Sequence, residues 1–207
     1  IPQRRYLNAF LSNRRQIVTI GSSESDWLPV ISGVPQGSVL GPLLFLIYVN
    51  DAPDSSQRST MELYADDTKM YSGFSPRLTV SPLQNDASRY SNWCAIWQLD
   101  IHPGKCSVLE VGNHVRNRPP YSILDVSLPN IDSVRDLGVI MDSNLRFSEH
   151  CSYVSAKASK VMGMILRAFS SRDKVFMVKA FTTYVRPILE YCSEVWSPSL
   201  LGDIDKI

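Results

Sequence analysis

Apolar positions along this chain recur with changing periods, which divide it into a mixed first part and a helical last third. Tyr6, Leu7, Phe10 and Leu11 repeat at helical spacing, and after Arg14-Arg15 the run Ile17–Val18–Thr19–Ile20 reads as a strand. Gly21 to Asp26 is a polar turn, and Trp27 to Ile31 reads as a second strand. Ser32 to Gly37 is a loop punctuated by glycine and proline. Ser38 is placed to cap a buried helix from Val39 to about Val49, with Pro42 tolerated in its first turns. Met61–Tyr64 and Thr68–Tyr71 predict two strands of a hairpin joined by Ala65-Asp66-Asp67. Ser81 as N-cap and Pro82 as first helical residue then open a helix whose stripe is Leu83, Ala87, Tyr90, Cys94 and Trp97.

Pro103-Gly104 predicts a turn into a strand over Lys105–Val111. A basic, proline-rich loop (Arg116, Arg118, Pro119, Pro120) leads to further strands near Tyr121–Val126 and Leu137–Met141. From about Ser148 onward the period is helical, with Val154, Ala158, Val161, Met162, Ile165, Leu166 and Phe169 on one face and Lys157, Lys160 and Arg167 opposite. A second helix is expected from about Arg172 to Tyr184, broken or restarted at Pro187. There are no internal repeats. This order implies an α+β body followed by a helical region.

Composition narrows the picture only a little. Apolar residues make up 44% and charged residues 20%, which excludes a disordered tail, a collagenous repeat and a mucin-like stalk. The length of 207 residues suits one large or two small domains. The longest strongly apolar run, Val39 to Val49, has 11 residues and contains Pro42, so no membrane span is expected; crossing a bilayer takes about 20. The four cysteines (Cys94, Cys106, Cys151, Cys192) show no close pairing, and buried thiols are expected. His102 with Cys106, and His150 with Cys151, fall short of the three or four ligands that zinc takes. The chain opens on Ile1 and reaches its first methionine at Met61, so a piece of a longer protein is expected.

Net charge is +1, with no overall basic signature of nucleic-acid binding. The distribution is less even. Residues 1–75 carry 6 basic and 7 acidic side chains, residues 76–141 carry 6 and 6, and residues 142–207 carry 9 and 7. The last third is mildly basic.

Two segments could carry chemistry. Asp66 and Asp67 lie between two apolar strands, a rigid base for a pair of carboxylates. Divalent cations such as Mg²⁺ take oxygen ligands, often one or two carboxylates plus substrate phosphates, and adjacent like charges favour a bound cation. Aspartates are also common turn residues, so the pair alone does not decide between metal binding and a plain turn. In Ser32-Gly33-Val34-Pro35-Gln36-Gly37-Ser38, proline stiffens the backbone while the glycines permit close approach of a partner. That loop runs into a helix N-terminus, which favours an anion.

Taken together, SGVPQGSVLGP from Ser32 to Pro42 and YADD from Tyr64 to Asp67 resemble the reverse transcriptase family, most closely the polymerases of non-LTR retrotransposons of the jockey type. The resemblance continues through NWCAIWQLDIHPGKCSVLEVG, with Lys105 at the family's lysine position and His102 where asparagine is more usual. DLGVIMDSNLRFSEH and VRPILEYCSEVWSP resemble the segments that follow the palm.

The resemblance implies an RNA-directed DNA polymerase that extends a primer 3′-hydroxyl on an RNA template, using deoxynucleotide triphosphates and two Mg²⁺ or Mn²⁺ ions. It implies a partial polymerase palm over residues 1–141, an antiparallel sheet with helices, and a helical thumb over 142–207. Asp66 is implied as a metal ligand, Asp67 as the neighbouring acid with a lesser role, and Tyr64 as a residue beneath the primer end or a simple cross-strand aromatic. Pro35, Gln36 and Gly37 would line the nucleotide and template side. Lys105 would assist the departing pyrophosphate or steer phosphate, and Lys157, Lys160 and Arg167 would meet the duplex backbone or form a solvated face.

The family also places an aspartate on an earlier palm strand. Glu24 and Asp26, the candidates ahead of the loop, sit in a polar turn with no apolar strand before them, and neither fits. The fingers, that carboxylate and the residue that helps exclude ribonucleotides are therefore expected before Ile1, and the chain alone is expected to be inactive. An endonuclease domain is expected on the same parent chain. The alternative reading is a catalytically dead relic or adopted domain, serving as a nucleic-acid-binding or scaffold module.

Overall fold

Helix α1 (Pro2–Leu11) follows the predicted apolar spacing. This computed structural model describes residues 2–73, 82–112 and 119–207. They fall into two units, Ile1–Ile101 and His102–Ile207. The proposed cap Ser81 and the basic-loop residues Arg116 and Arg118 lie outside the described residues.

In the first unit α1 is followed by β1 (Arg15–Gln16), β2 (Thr19–Ile20), β3 (Ser23–Glu24) and β4 (Leu28–Pro29), which form two antiparallel ribbons, β1 with β4 and β2 with β3. The segment read as a polar turn thus contains β3, because Gly21 takes a positive φ of 61° and lets the chain fold straight back. Every ribbon residue is exposed. Helix α2 (Leu40–Val49) forms as expected but is mostly uncovered: Val39 is 95% and Ile47 65% exposed, Leu40, Leu44 and Phe45 are half-buried, and only Gly41 and Val49 are fully buried. A helix that is apolar on all sides needs cover all round, and this unit supplies it on one side only.

A 3₁₀ turn (Ala52–Ser55) leads to β5 (Thr60–Tyr64) and β6 (Asp67–Tyr71), an antiparallel hairpin, and then to α3 (Pro82–Ile96). Period-2 alternation places Met61, Leu63, Thr68 and Met70 on the covered face. Glu62, Tyr64, Asp67, Lys69 and Tyr71 fall on the exposed one. The covered face packs against α3 and the 3₁₀ turn. Ala87, Ser91 and Cys94 are buried on α3. The helix ends with Gln98 in the left-handed region (φ 55°), its neighbour Leu99 donating to the Cys94 carbonyl at 2.9 Å. Trp97 meets Tyr48 of α2 edge to face at 5.2 Å.

Among the described residues the second unit has six short strands: β7 (Val108–Leu109), β8 (Ser122–Ile123), β9 (Val126–Ser127), β10 (Asn130–Ile131), β11 (Ser133–Asp136) and β12 (Val139–Asp142). The strand expected over Lys105–Val111 shrinks to β7, which pairs with β10 in parallel. Pro103–Lys105 is instead a 3₁₀ turn, since proline's fixed φ suits it and the Lys105 and Cys106 N–H groups close onto the His102 and Pro103 carbonyls at 3.0 Å. The strand expected over Tyr121–Val126 is a hairpin of β8 and β9, turning at Leu124 and Asp125 with φ of 49° and 60°. β11 and β12 form another hairpin, turning at Leu137 and Gly138.

Helix α4 (Ser148–Ala168) then begins where predicted. Val154, Ala158 and Ile165 are buried and Val161 and Met162 half-buried, but Leu166 and Phe169 at the far end are exposed. The next helix is interrupted: α5 (Lys174–Ala180), a π-helical turn (Phe181–Val185) and α6 (Arg186–Glu190). Pro187 lies in the first turn of α6, where its missing N–H costs no helical bond, and in the widened turn before it the Arg186 N–H donates to the Phe181 carbonyl five residues back. Two short helices close the chain, α7 (Ser193–Trp196) and α8 (Leu201–Ile204).

One core cluster gathers Val139, Cys151, Val154 and Trp196, and another Ala158, Ile165, Ala180 and Val185. Val139 of β12 thus shares its core with α4, inside the second compact unit. His150 and Cys151 sit in this core. His150 is buried beside Trp196 at 4.8 Å and accepts from the Ile140 N–H at 3.2 Å through Nδ1, so its proton is on Nε2. Burial, then the charge of Arg135, pushes its pKa below the usual imidazole value.

Candidate active site

The Asp66–Asp67 pair stands at the tip of β5 and β6. The strands are joined by two residues, Ala65 and Asp66, and Tyr64 pairs directly with Asp67. Asp67 is therefore the first residue of β6 and not part of the connection. Ala65 takes φ of 53°, a left-handed conformation that costs an L-residue about 1–2 kcal/mol and is usually left to glycine. Tyr64, Asp66 and Asp67 are all exposed, and neither carboxylate makes a hydrogen bond or ion pair with the described residues. Two unpaired carboxylates on adjacent residues suit a hard cation that keeps further oxygen ligands from water or phosphate. Among the described residues no group of three or more His, Cys, Asp or Glu could hold a metal.

The support beneath this hairpin was missed in the sequence. Asp86 of α3 is 0% exposed, and the backbone N–H groups of Gln57, Arg58 and Ser59 donate to it at 3.1, 2.9 and 2.7 Å. The Ser56 and Ser59 hydroxyls donate as well, at 3.1 and 2.8 Å, and Arg89 pairs with it at 3.0 Å. Burial alone would raise the carboxyl pKa, but the Arg58 N–H, the Ser59 hydroxyl and the Ser59 N–H outweigh it and hold the group well below the usual carboxylate range. One turn further along α3, the Tyr90 hydroxyl meets Thr68 Oγ1 at 2.8 Å. The available signal was a carboxylate set between the apolar stripe positions Leu83 and Ala87.

The Ser32–Ser38 loop is also tied down locally. Arg14 donates through Nη2 to the carbonyls of Ser32 at 3.0 Å and Gly33 at 2.5 Å. Ser38 Oγ donates to the Pro35 carbonyl at 2.7 Å and accepts from the Gly41 N–H at 3.0 Å, so it caps α2 as the sequence suggests. A β-carbon on Gly41 would stand 2.8 Å from the Pro35 oxygen, which is why this position has none. Gly33 and Gly37 both take φ of 73° with open space around them, so backbone conformation and not crowding requires glycine there. Gln36 is exposed and makes no hydrogen bond with the described residues, leaving its amide available. No hydrogen bond or ion pair joins this loop to Asp66 or Asp67 among the described residues.

Neither Glu24 nor Asp26 supplies a facing carboxylate. Glu24 ends the exposed β2–β3 ribbon, and β5 and β6 pair with no third strand among the described residues. The remaining predicted residues belong to the second unit. Lys105 is exposed at the end of the 3₁₀ turn, and Lys157, Lys160 and Arg167 are exposed on α4. Beside them, the Arg135 guanidinium lies over the Tyr153 ring at 5.1 Å and Lys157 Nζ at 6.0 Å from the same ring.

The family profile described as "Reverse transcriptase (RNA-dependent DNA polymerase)" matches residues 1–165. The chain belongs to the reverse transcriptase family. Among curated relatives it is 29% identical over 209 residues to the "Probable RNA-directed DNA polymerase from transposon X-element" of Drosophila melanogaster, covering 97% of this chain and 23% of that protein. It is 25% identical over 219 residues to the "RNA-directed DNA polymerase from mobile element jockey" of the same organism, covering 100% of this chain and 24% of the relative. The chain thus spans about a quarter of the length of the curated relatives it matches. No solved structure matches it significantly. The family match takes in the loop, the acidic hairpin, Lys105 and most of α4. No described helix is long and apolar enough to cross a membrane.

Proposed function

We propose that this chain provides the palm hairpin, nucleotide loop and thumb of an RNA-directed DNA polymerase of a non-LTR retrotransposon, residues 1–141 contributing palm and 142–207 thumb. The observation that carries the proposal is the exposed, unpaired carboxylate pair at the tip of a hairpin in a chain of this family. Asp66 would hold a divalent ion, Mg²⁺ or Mn²⁺, with Asp67 as the lesser neighbouring acid. Two such ions, when bound, stabilise charge on the attacking and leaving oxygens of nucleotidyl transfer. Tyr64, paired with Asp67 on the same exposed face, would support the primer end. Pro35, Gln36 and Gly37 would line the nucleotide and template, Gln36 through its free amide. Lys105 would assist pyrophosphate departure, and Lys157, Lys160 and Arg167 would neutralise duplex phosphates.

Two carboxylates on one hairpin do not complete a two-metal site, so the isolated chain binds an RNA–DNA primer–template but does not extend it. Filter binding across a salt series, together with primer extension on an RNA template in Mg²⁺, tests both halves. Binding that weakens steeply with salt, without extension, is the expected result. Absence of binding at low salt would favour the relic or scaffold reading. Robust extension lost in Asp66→Asn would show that the described residues suffice.

A further inference from the structure

We propose that Asp86 and Tyr90, one turn apart on α3, are positioning residues that set where the Asp66–Asp67 carboxylates stand. The inference rests on the reading of that turn as a metal-binding element. A two-stranded hairpin is marginal by itself, and among the described residues β5 and β6 pair with no other strand. Its position must come from what it packs on. Asp86 gathers the three N–H groups of Gln57, Arg58 and Ser59, directly before β5 begins at Thr60, so it fixes the base of the hairpin. Tyr90 holds Thr68, the residue after Asp67, so it fixes the end that carries the acids. Residues four apart lie on one helix face, which is why a single helix reaches both points.

Lever geometry explains the need for two anchors. A five-residue strand is about 17 Å long, so a 10° tilt about its base moves the tip by roughly 3 Å. Metal and catalytic sites tolerate about 0.5 Å of displacement. Asp86 alone would leave that tilt open, and the 2.8 Å contact between the Tyr90 and Thr68 hydroxyls closes it. Both hydroxyls can act as donor or acceptor, so loss of either breaks the same contact.

Mn²⁺ added to the ¹⁵N-labelled full chain is the probe, read as paramagnetic broadening of the Tyr64–Thr68 amide signals, with thermal unfolding recorded alongside. In the unaltered chain the broadening should saturate and should vanish in Asp66→Asn. Tyr90→Phe, which removes one oxygen, should weaken the apparent Mn²⁺ affinity by about 3–10-fold with little change in unfolding temperature. Thr68→Val should weaken it as well, and the double variant should cost less than the sum of the two. Asp86→Asn should weaken it further. Rescue should follow in Tyr90→Phe when Mn²⁺ concentration is raised, since the ligands remain. Affinity unchanged in Tyr90→Phe and Thr68→Val would overturn the positioning role. No Asp66-dependent broadening in the unaltered chain would overturn the metal reading of the turn and this inference with it.

Discussion

Replacing Gly41 with alanine pits helix propensity against packing, and the two predict opposite signs. Gly41 lies in the first turn of α2, where glycine-to-alanine ordinarily stabilises a helix by about 1 kcal/mol. Here the new β-carbon would stand 2.8 Å from the Pro35 oxygen and 2.9 Å from Ser38 Oγ. Neither neighbour can yield cheaply, because the serine donates to that same oxygen at 2.7 Å and accepts from the Gly41 N–H at 3.0 Å. Overpacking of this kind costs about 1–3 kcal/mol, and each hydrogen bond forced apart about 1 kcal/mol more. With one of the two bonds lost, the net expectation is destabilisation by roughly 1–3 kcal/mol after the propensity gain is subtracted. Urea unfolding followed by far-ultraviolet circular dichroism measures it, with Ser38→Ala as the companion. The double variant should cost less than the sum of the singles, since the serine is half of the obstruction. A Gly41→Ala protein more stable than the parent would refute this description of the loop.

Other consequences follow from the burial and charge of the second unit. His150 has a depressed pKa, so it contributes stability that is complete above its ordinary value of 6.5 and declines as pH falls below it. The first unit's buried acid, Asp86, has a lowered pKa and contributes stability lost only as pH falls below about 3.8. Hydrogen exchange at pH 7.5 and 5.5 should therefore show α4 and β12 loosening while residues 57–59 keep their protection, and His150→Gln should remove the difference. Changing Lys157, Lys160 and Arg167 together to alanine should lower the slope of log affinity against log salt for primer–template by about 3; an unchanged slope in filter binding would make them a solvated face.

Elements with a clear period were legible from residues alone, and those that depend on distant partners were not. The β5–β6 hairpin and α4 announce themselves by alternation and by a 3.6-residue stripe, and both stand where that pattern puts them. The short strands escaped because two-residue pairings such as β8 with β9 arise from left-handed turns at Leu124 and Asp125, residues with no glycine to advertise them. Helix α2 was legible as a helix but not as an exposed one, since apolarity says that cover is wanted and not where it comes from. At the site, the carboxylate pair and the glycine loop were visible as motifs. Arg14 and Asp86, which hold those motifs, were not, because their partners are backbone groups 18 and 27–29 residues away.

The proposed function makes the Asp66–Asp67 turn the metal-binding tip of a reverse transcriptase palm. The most direct test places residues 1–165 in the jockey polymerase, to which the whole chain aligns, in place of its corresponding segment, and measures RNA-templated primer extension in Mg²⁺. The chimera should extend the primer and lose that activity, at least 100-fold, in Asp66→Asn with primer–template binding retained. A folded chimera that extends equally well with Asp66→Asn would contradict it.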